Sequence, residues 1–134
     1  MSKHLAIFSK DVIEEIFAGR KNIESRFSQK KIAPFGVIER GDIVYIKPPG
    51  REVVGQFKVA KVIFIDGLSK DEWELIKQKY GKNLSLGSKK KDQRYFDKHL
   101  NAKYATLIFM DEVEKFITSP VRIKKKDLRG WMVL

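Results

Sequence analysis

Cysteine is absent from the 134 residues, which removes disulfides, thiolate zinc sites and cysteine nucleophiles together. Histidine occurs only twice. Neither His4 nor His99 has a second histidine or a carboxylate at metal-ligand spacing, so no metal is assigned to them. No apolar run approaches the roughly eighteen residues of a membrane span, so no membrane partner is expected. The first residues, Met1-Ser2-Lys3-His4-Leu5, lack the longer apolar stretch of a secretory signal, and a cytoplasmic protein is expected. The chain also lacks G-x-x-x-x-G-K-[ST], G-x-G-x-x-G, H-E-x-x-H and G-x-S-x-G, the motifs that would announce a phosphate loop, a dinucleotide site, a zinc protease or a serine hydrolase. No cofactor is implied.

Acidic residues are the scarcer charge: 17 Asp and Glu stand against 28 Lys and Arg, a formal net charge of +11. The excess is segregated. Residues 20–31 hold five basic side chains against Glu24, residues 77–98 hold eight against Asp92 and Asp97, and residues 122–129 hold five against Asp127. Together these stretches exceed the whole net charge, so the rest of the chain is acidic on balance. Each stretch alone reads as a solvated surface. All three on one face would form a surface for an anionic partner. At 43% apolar residues the chain can bury one substantial core, so residues 1–134 are expected to form a single domain.

Hydrophobic periodicity and turn residues predict a mixed α+β order with no internal repeat. A short strand covers residues 4–8, and Ser9 caps a helix over 11–18 that carries Val12, Ile13, Ile16 and Phe17 on one stripe. Gly19 stops that helix, where a residue at positive φ is needed. A strand follows over 21–27, then a Pro-Phe-Gly turn in 33–40. The Gly41-Asp42 turn leads into a buried strand, 43–46, that ends at Pro48-Pro49-Gly50. A long β-branched strand, 53–65, is interrupted by Gly55 as a bulge or corner. Ser69 and Glu72 form a capping box for a helix with Trp73, Ile76 and Tyr80 on one face, closed by Gly81. Residues 82–92 read as a mobile basic loop, 94–101 as a short helix, and 104–110 as an apolar strand. Further strands are expected over 113–117 and 120–123, and residues 131–134 as a last strand docking with Trp131 as its anchor.

The chemistry concentrates in residues 19–27. Ile23, Ser25 and Phe27 point to one side of the predicted strand, Glu24 and Arg26 to the other, and Lys21 stands at its mouth. With Ile23 and Phe27 toward the core, Glu24 and Arg26 share the opposite face. Two readings follow: a polar recognition cleft, or a structural ion pair with Glu24 bonded to Arg26 or to nearby backbone.

The spacing G-x-K-x-x-E-x-R, met by Gly19, Lys21, Glu24 and Arg26, resembles the signature of the ASCH domain, a module of the PUA-like superfamily. The order of elements agrees over roughly residues 3–124. The resemblance implies an α+β fold, a small PUA-like β-barrel of about 5–7 strands decorated by 2–3 helices. It also implies a binding module for RNA or another single-stranded nucleic acid, with partners in translation or transcription as a further class. Lys21, Glu24 and Arg26 would hold one exposed nucleotide, and Lys30, Lys31, Lys89, Lys90, Lys91, Arg94, Lys124 and Lys125 would attract the phosphates. Tyr95, beside Arg94, is the stacking candidate, whereas Tyr80, Phe96 and Trp73 complete core-facing surfaces.

The alternative is a small hydrolase. ASCH-like amidohydrolases use a lysine, a threonine nucleophile and a glutamate, but Glu24 stands where the threonine would be. The expected acid is also missing from Val59-Ala60-Lys61-Val62, which argues against that activity. The catalytic alternative is a small hydrolase using Lys21 and Glu24: a ribonuclease in which Lys21 stabilises the phosphate and Glu24 acts as base, ahead of a nucleoside amidohydrolase-like enzyme.

Overall fold

A computed structural model describes residues 1–120, 122, 123 and 129–134. The described residues form β1 (Lys3–Ile7), α1 (Lys10–Phe17), β2 (Ile23–Ser28), β3 (Ile43–Lys47), β4 (Gly55–Asp66), α2 (Lys70–Leu84), α3 (Lys89–Lys98), β5 (Tyr104–Lys115) and β6 (Trp131–Val133). The strands join in one six-stranded sheet of order β2-β5-β4-β3-β1-β6. Only β1 and β3 pair in parallel; the other neighbours are antiparallel. The sheet curls into a half-barrel, giving with the three described helices the α+β architecture that the resemblance implied. No helix among the described residues is long and apolar enough to cross a membrane.

Local chemistry explains the elements. Ser9 is extended and its side chain accepts the Val12 N–H, so α1 begins at Lys10. Gly19 takes φ +77° and ends it. Ile13 and Ile16 of α1 enter the barrel interior against Val44, Ile46, Phe57, Val59 and Ile108. A second apolar layer, Ile23, Ile76, Leu84 and Leu107, lies between α2 and the outer face of β2 and β5. Gly55 heads β4 at a close approach, since a Cβ there would stand 2.5 Å from the Glu114 carbonyl and 2.7 Å from the Phe17 ring. Trp131 is buried and β6 covers β1, as expected of the terminal anchor.

Several expectations are corrected. Gly81 does not close α2, which continues to Leu84; an interior glycine costs a helix about 1 kcal/mol but does not end it. Residues 82–92 are not a loop. Only 85–88 connect α2 to α3, held by Asp92, which accepts from Ser85 Oγ and the Leu86 N–H at 3.0 and 2.7 Å. Ser88 then caps α3 by accepting the Lys91 N–H, so the triple lysine is helical. The separate strand expected over 113–117 is the far part of β5 as far as Lys115. Glu112 takes φ 46° where the β4–β5 register shifts, so the strand passes through a bulge. Residues 120, 122 and 123 are not in a strand.

Candidate functional site

The alternation along β2 is as expected, but neither face is open. Glu24 pairs across the sheet with Ile108 and Arg26 with Thr106, both buried, so the charged face looks into the barrel. The opposite face is covered by helices: Ile23 packs with Ile76 and Leu84, and Phe27 stacks on Trp73 with centroids 4.4 Å apart. Sequence parity distinguishes two faces but does not say which one solvent reaches. In a half-barrel clad with helices, both are enclosed.

Lys21 is almost completely buried, 1% exposed. Its Nζ donates to the Ile23 and Leu84 carbonyls, each at 2.9 Å, and lies 3.5 Å from Glu24 Oε1. Three acceptors match the three N–H groups of an ammonium. Burial pushes its pKa below the ordinary lysine range, with the Glu24 carboxylate pulling the other way. Glu24 also accepts the Ser25 N–H at 2.9 Å and Arg26 Nη2 at 3.2 Å. Lys21 therefore holds Glu24 from beneath.

Arg26 reaches across the seam left by the open barrel. The outer strands of the sheet order, β2 and β6, are not paired with each other. Arg26 Nη2 donates to the Ile7 carbonyl of β1 at 2.9 Å, and Nη1 to the Gly130 carbonyl at 3.4 Å. Its guanidinium lies over the Phe8 and Trp131 rings, 5.0 and 5.1 Å from their centroids. The side chain thus bridges edges that no backbone ladder joins among the described residues.

A cleft of about 370 Å³ opens along this seam, within the size range of small-ligand sites. Glu24 and Arg26 supply its charge, and Phe8, Phe27, Tyr95 and His99 its aromatic walls. Tyr95 of α3 and His99 at its C-cap, four residues apart, are in edge contact at 4.6 Å. The Tyr95 hydroxyl donates to the Ser25 carbonyl at 2.7 Å and meets Ser25 Oγ at 3.2 Å. Burial, then the nearby Glu24 charge, pushes the Tyr95 phenol well above its usual range. Burial, then Lys98 and Arg26, lowers the pKa of His99, so its ring is neutral at pH 7. A carboxylate acceptor, a guanidinium donor and neutral rings on one cleft suit a planar heterocycle with mixed polar edges.

The remaining expected residues divide by place. Lys91 and Arg94, with Lys98, line a cavity of about 270 Å³ that shares Tyr95 and Leu86 with the cleft. Lys91 also pairs with Asp11 at 3.0 Å. Lys89 and Lys90 are exposed in the first turn of α3. Lys30 and Lys31 are exposed just beyond β2, with Lys31 3.2 Å from Asp66. Lys124 and Lys125 lie outside the described residues. Tyr80 and Phe96 are packing residues, Tyr80 against Phe109 and Phe96 edge-on to Trp73. Sequence reasoning missed Phe8, Phe27 and His99 as cleft walls. The spacing of His99 four residues after Tyr95 was the available signal, because i and i+4 share a helix face. Among the described residues, no group of three or more His, Asp or Glu is placed to hold a metal ion.

No family model and no curated protein sequence matches this chain. Solved structures do. The crystal structure of ASCH from Zymomonas mobilis aligns with a TM-score of 0.62 and 16% identity, covering 84% of this chain and 69% of that one. A serine-to-alanine variant of the same protein aligns at 0.70 with 14% identity, covering 98% and 87%. A hypothetical protein of known structure aligns at 0.56 with 19% identity, covering 84% and 97%. At these identities the likeness is one of fold: the chain has the architecture of an ASCH protein.

Proposed function

We propose that this ASCH-fold chain is a cytoplasmic member of the ASCH family that binds RNA or another single-stranded nucleic acid, taking one exposed nucleotide into the seam cleft. The observation that carries the reading is the 370 Å³ cleft itself, with Glu24 and Arg26 between aromatic walls and the basic cavity of Lys91, Arg94 and Lys98 opening beside it. Stacking on the rings tolerates any base, while the fixed carboxylate and guanidinium discriminate edges. Glu24 accepts from an exocyclic amine, and Arg26 donates to a base acceptor or phosphate. A duplex hides the stacking faces and the Watson–Crick edges of its bases together, so single strands are the ligand class.

The hydrolase alternative needs Lys21 Nζ on the substrate. Here that group lies beneath Glu24, fastened to two carbonyls and 1% exposed, which favours the binding reading. Fluorescence anisotropy with single-stranded RNA, duplex RNA and single-stranded DNA, each at low and physiological salt, tests it. Binding of single-stranded RNA that persists at physiological salt and exceeds that of the duplex is expected. Equal binding of all three that vanishes with salt would reduce the charge to a non-specific field.

A further inference from the structure

A second cavity, of about 150 Å³, lies on the other side of Arg26. Ile32, Pro34, Phe35 and Trp131 form its apolar wall, and Thr106 is at its base. It shares two residues with the nucleotide cleft, Arg26 and Phe27. Both shared residues carry polar groups that have no partner among the described residues. Arg26 has five N–H groups, and three are engaged by Glu24, the Ile7 carbonyl and the Gly130 carbonyl. Among the described residues nothing takes its Nε–H or its second Nη1–H. The β2–β5 ladder turns alternate residues away from β5. Outward-facing Ile23 gives its carbonyl to Lys21, and Ser25 gives its N–H to Glu24 and its carbonyl to Tyr95. Phe27, next in that series, has no partner for its N–H or carbonyl among the described residues.

Resting on the nucleic-acid reading above, we propose that the seam holds two consecutive nucleotides, one base in the cleft and a neighbouring pyrimidine in the smaller cavity, with Arg26 on the phosphate between them. A cavity of about 150 Å³ accommodates one six-membered aromatic ring, which favours a pyrimidine over a purine. The apolar wall offers stacking, and the Phe27 N–H and carbonyl, without a partner among the described residues, offer a donor and an acceptor to the base edge. Lys30 and Lys31, just past the end of β2, continue the positive charge along the exit from this cavity. Extended single strand, rather than a nucleoside or a duplex, is the ligand that fills both cavities and the guanidinium between them.

Isothermal titration with the full sets of RNA mononucleotides and dinucleotides tests the proposal, using the intact chain and its Ile32→Asp variant. Ile32 is 58% exposed, so the substitution places a negative charge on the cavity wall without disturbing the core. At least one pyrimidine-containing dinucleotide is expected to bind about tenfold more tightly than the best mononucleotide. Ile32→Asp should remove that gain and leave mononucleotide affinity unchanged. Dinucleotides that bind no better than mononucleotides, a gain as large for purine-only dinucleotides, or equal losses for both ligand sizes in Ile32→Asp would each overturn the second subsite while leaving the first intact. Absence of binding by every mononucleotide and dinucleotide would overturn the nucleotide cleft as well.

Discussion

Lys21 carries a charge that the fold encloses. Its ammonium is ringed by the Ile23 and Leu84 carbonyls and the Glu24 carboxylate, so removing it strands two buried carbonyls and takes from the buried Glu24 carboxylate one of its two cationic partners, leaving Arg26. Lys21→Met is therefore expected to destabilise the protein by about 3–5 kcal/mol in a urea or guanidinium titration. A loss below about 1 kcal/mol would contradict the paired, buried geometry. The proposed nucleotide reading makes Glu24 the discriminating group. Glu24→Gln substitutes an amide that also donates, so base preference should shift while the salt dependence of binding stays constant, read from anisotropy across four homopolymer oligonucleotides. Lys21, Glu24 and Arg26 were legible in the sequence as one constellation. Their burial was not, because strand parity assigns faces without saying what covers each face.

At the level of elements, a buried side-chain relay fastens the ends of the chain to the sheet. Trp131 of β6 donates Nε1–H to His4 Nδ1 at 3.1 Å, and His4 Nε2 meets Asp42 Oδ2 at 2.8 Å. Indole nitrogen only donates, so Nδ1 must accept and the imidazole is the neutral Nε2–H tautomer, which long-range proton–nitrogen NMR correlations would display. Asp42 also accepts the Ser2 and Glu39 N–H groups at 2.9 and 3.0 Å. Burial raises its pKa, but these hydrogen bonds together outweigh burial and hold the carboxyl below its usual value of 3.8. The folded state thus favours the ionised form. Its contribution is complete above the unfolded pKa and is lost as pH falls through the lower folded one. Acid unfolding of Asp42→Asn should accordingly be less steep below about pH 4 than that of the parent protein. Trp131→Phe keeps the packing but strands the His4 acceptor, with an expected loss of about 1–3 kcal/mol in stability. α3 shows the opposite tendency: Lys89, Lys90 and Lys91 occupy its first turn, where the helix dipole disfavours cations. That placement weakens the free helix and suits a bound polyanion.

At the scale of the molecule, the half-barrel leaves one seam, and the candidate chemistry gathers there. Residues distant in sequence, Ile7, Arg26 and Gly130, meet across it, and α3 brings Lys91, Arg94 and Lys98 to its mouth. Field and recognition are therefore separable. Replacing Lys89, Lys90 and Lys91 together by Ala should lower affinity for every single-stranded sequence alike. It should also reduce the slope of log K against log salt by about 0.7 for each phosphate that these lysines neutralise. A sequence-dependent loss with an unchanged slope would mean that these lysines read bases. The exposed Lys91–Asp11 pair contributes little to stability, so the triple variant should fold normally, verified by its thermal midpoint.

The sequence by itself determined the alternation of β2, the glycine stop before it, the two N-caps at Ser9 and Ser69, the absence of thiol chemistry and the segregation of charge. These are local properties, set by backbone conformational preference, side-chain period and composition. Only the tertiary structure decided that Glu24 and Arg26 look into a barrel, that Lys21 is held by the end of α2, and that the triple lysine begins a helix. It alone placed Phe8, Phe27 and His99 around one cleft. Each of these depends on contacts between segments far apart in the chain. The curl of the sheet brings β2 toward β1 without pairing them, and that unpaired edge becomes the candidate site.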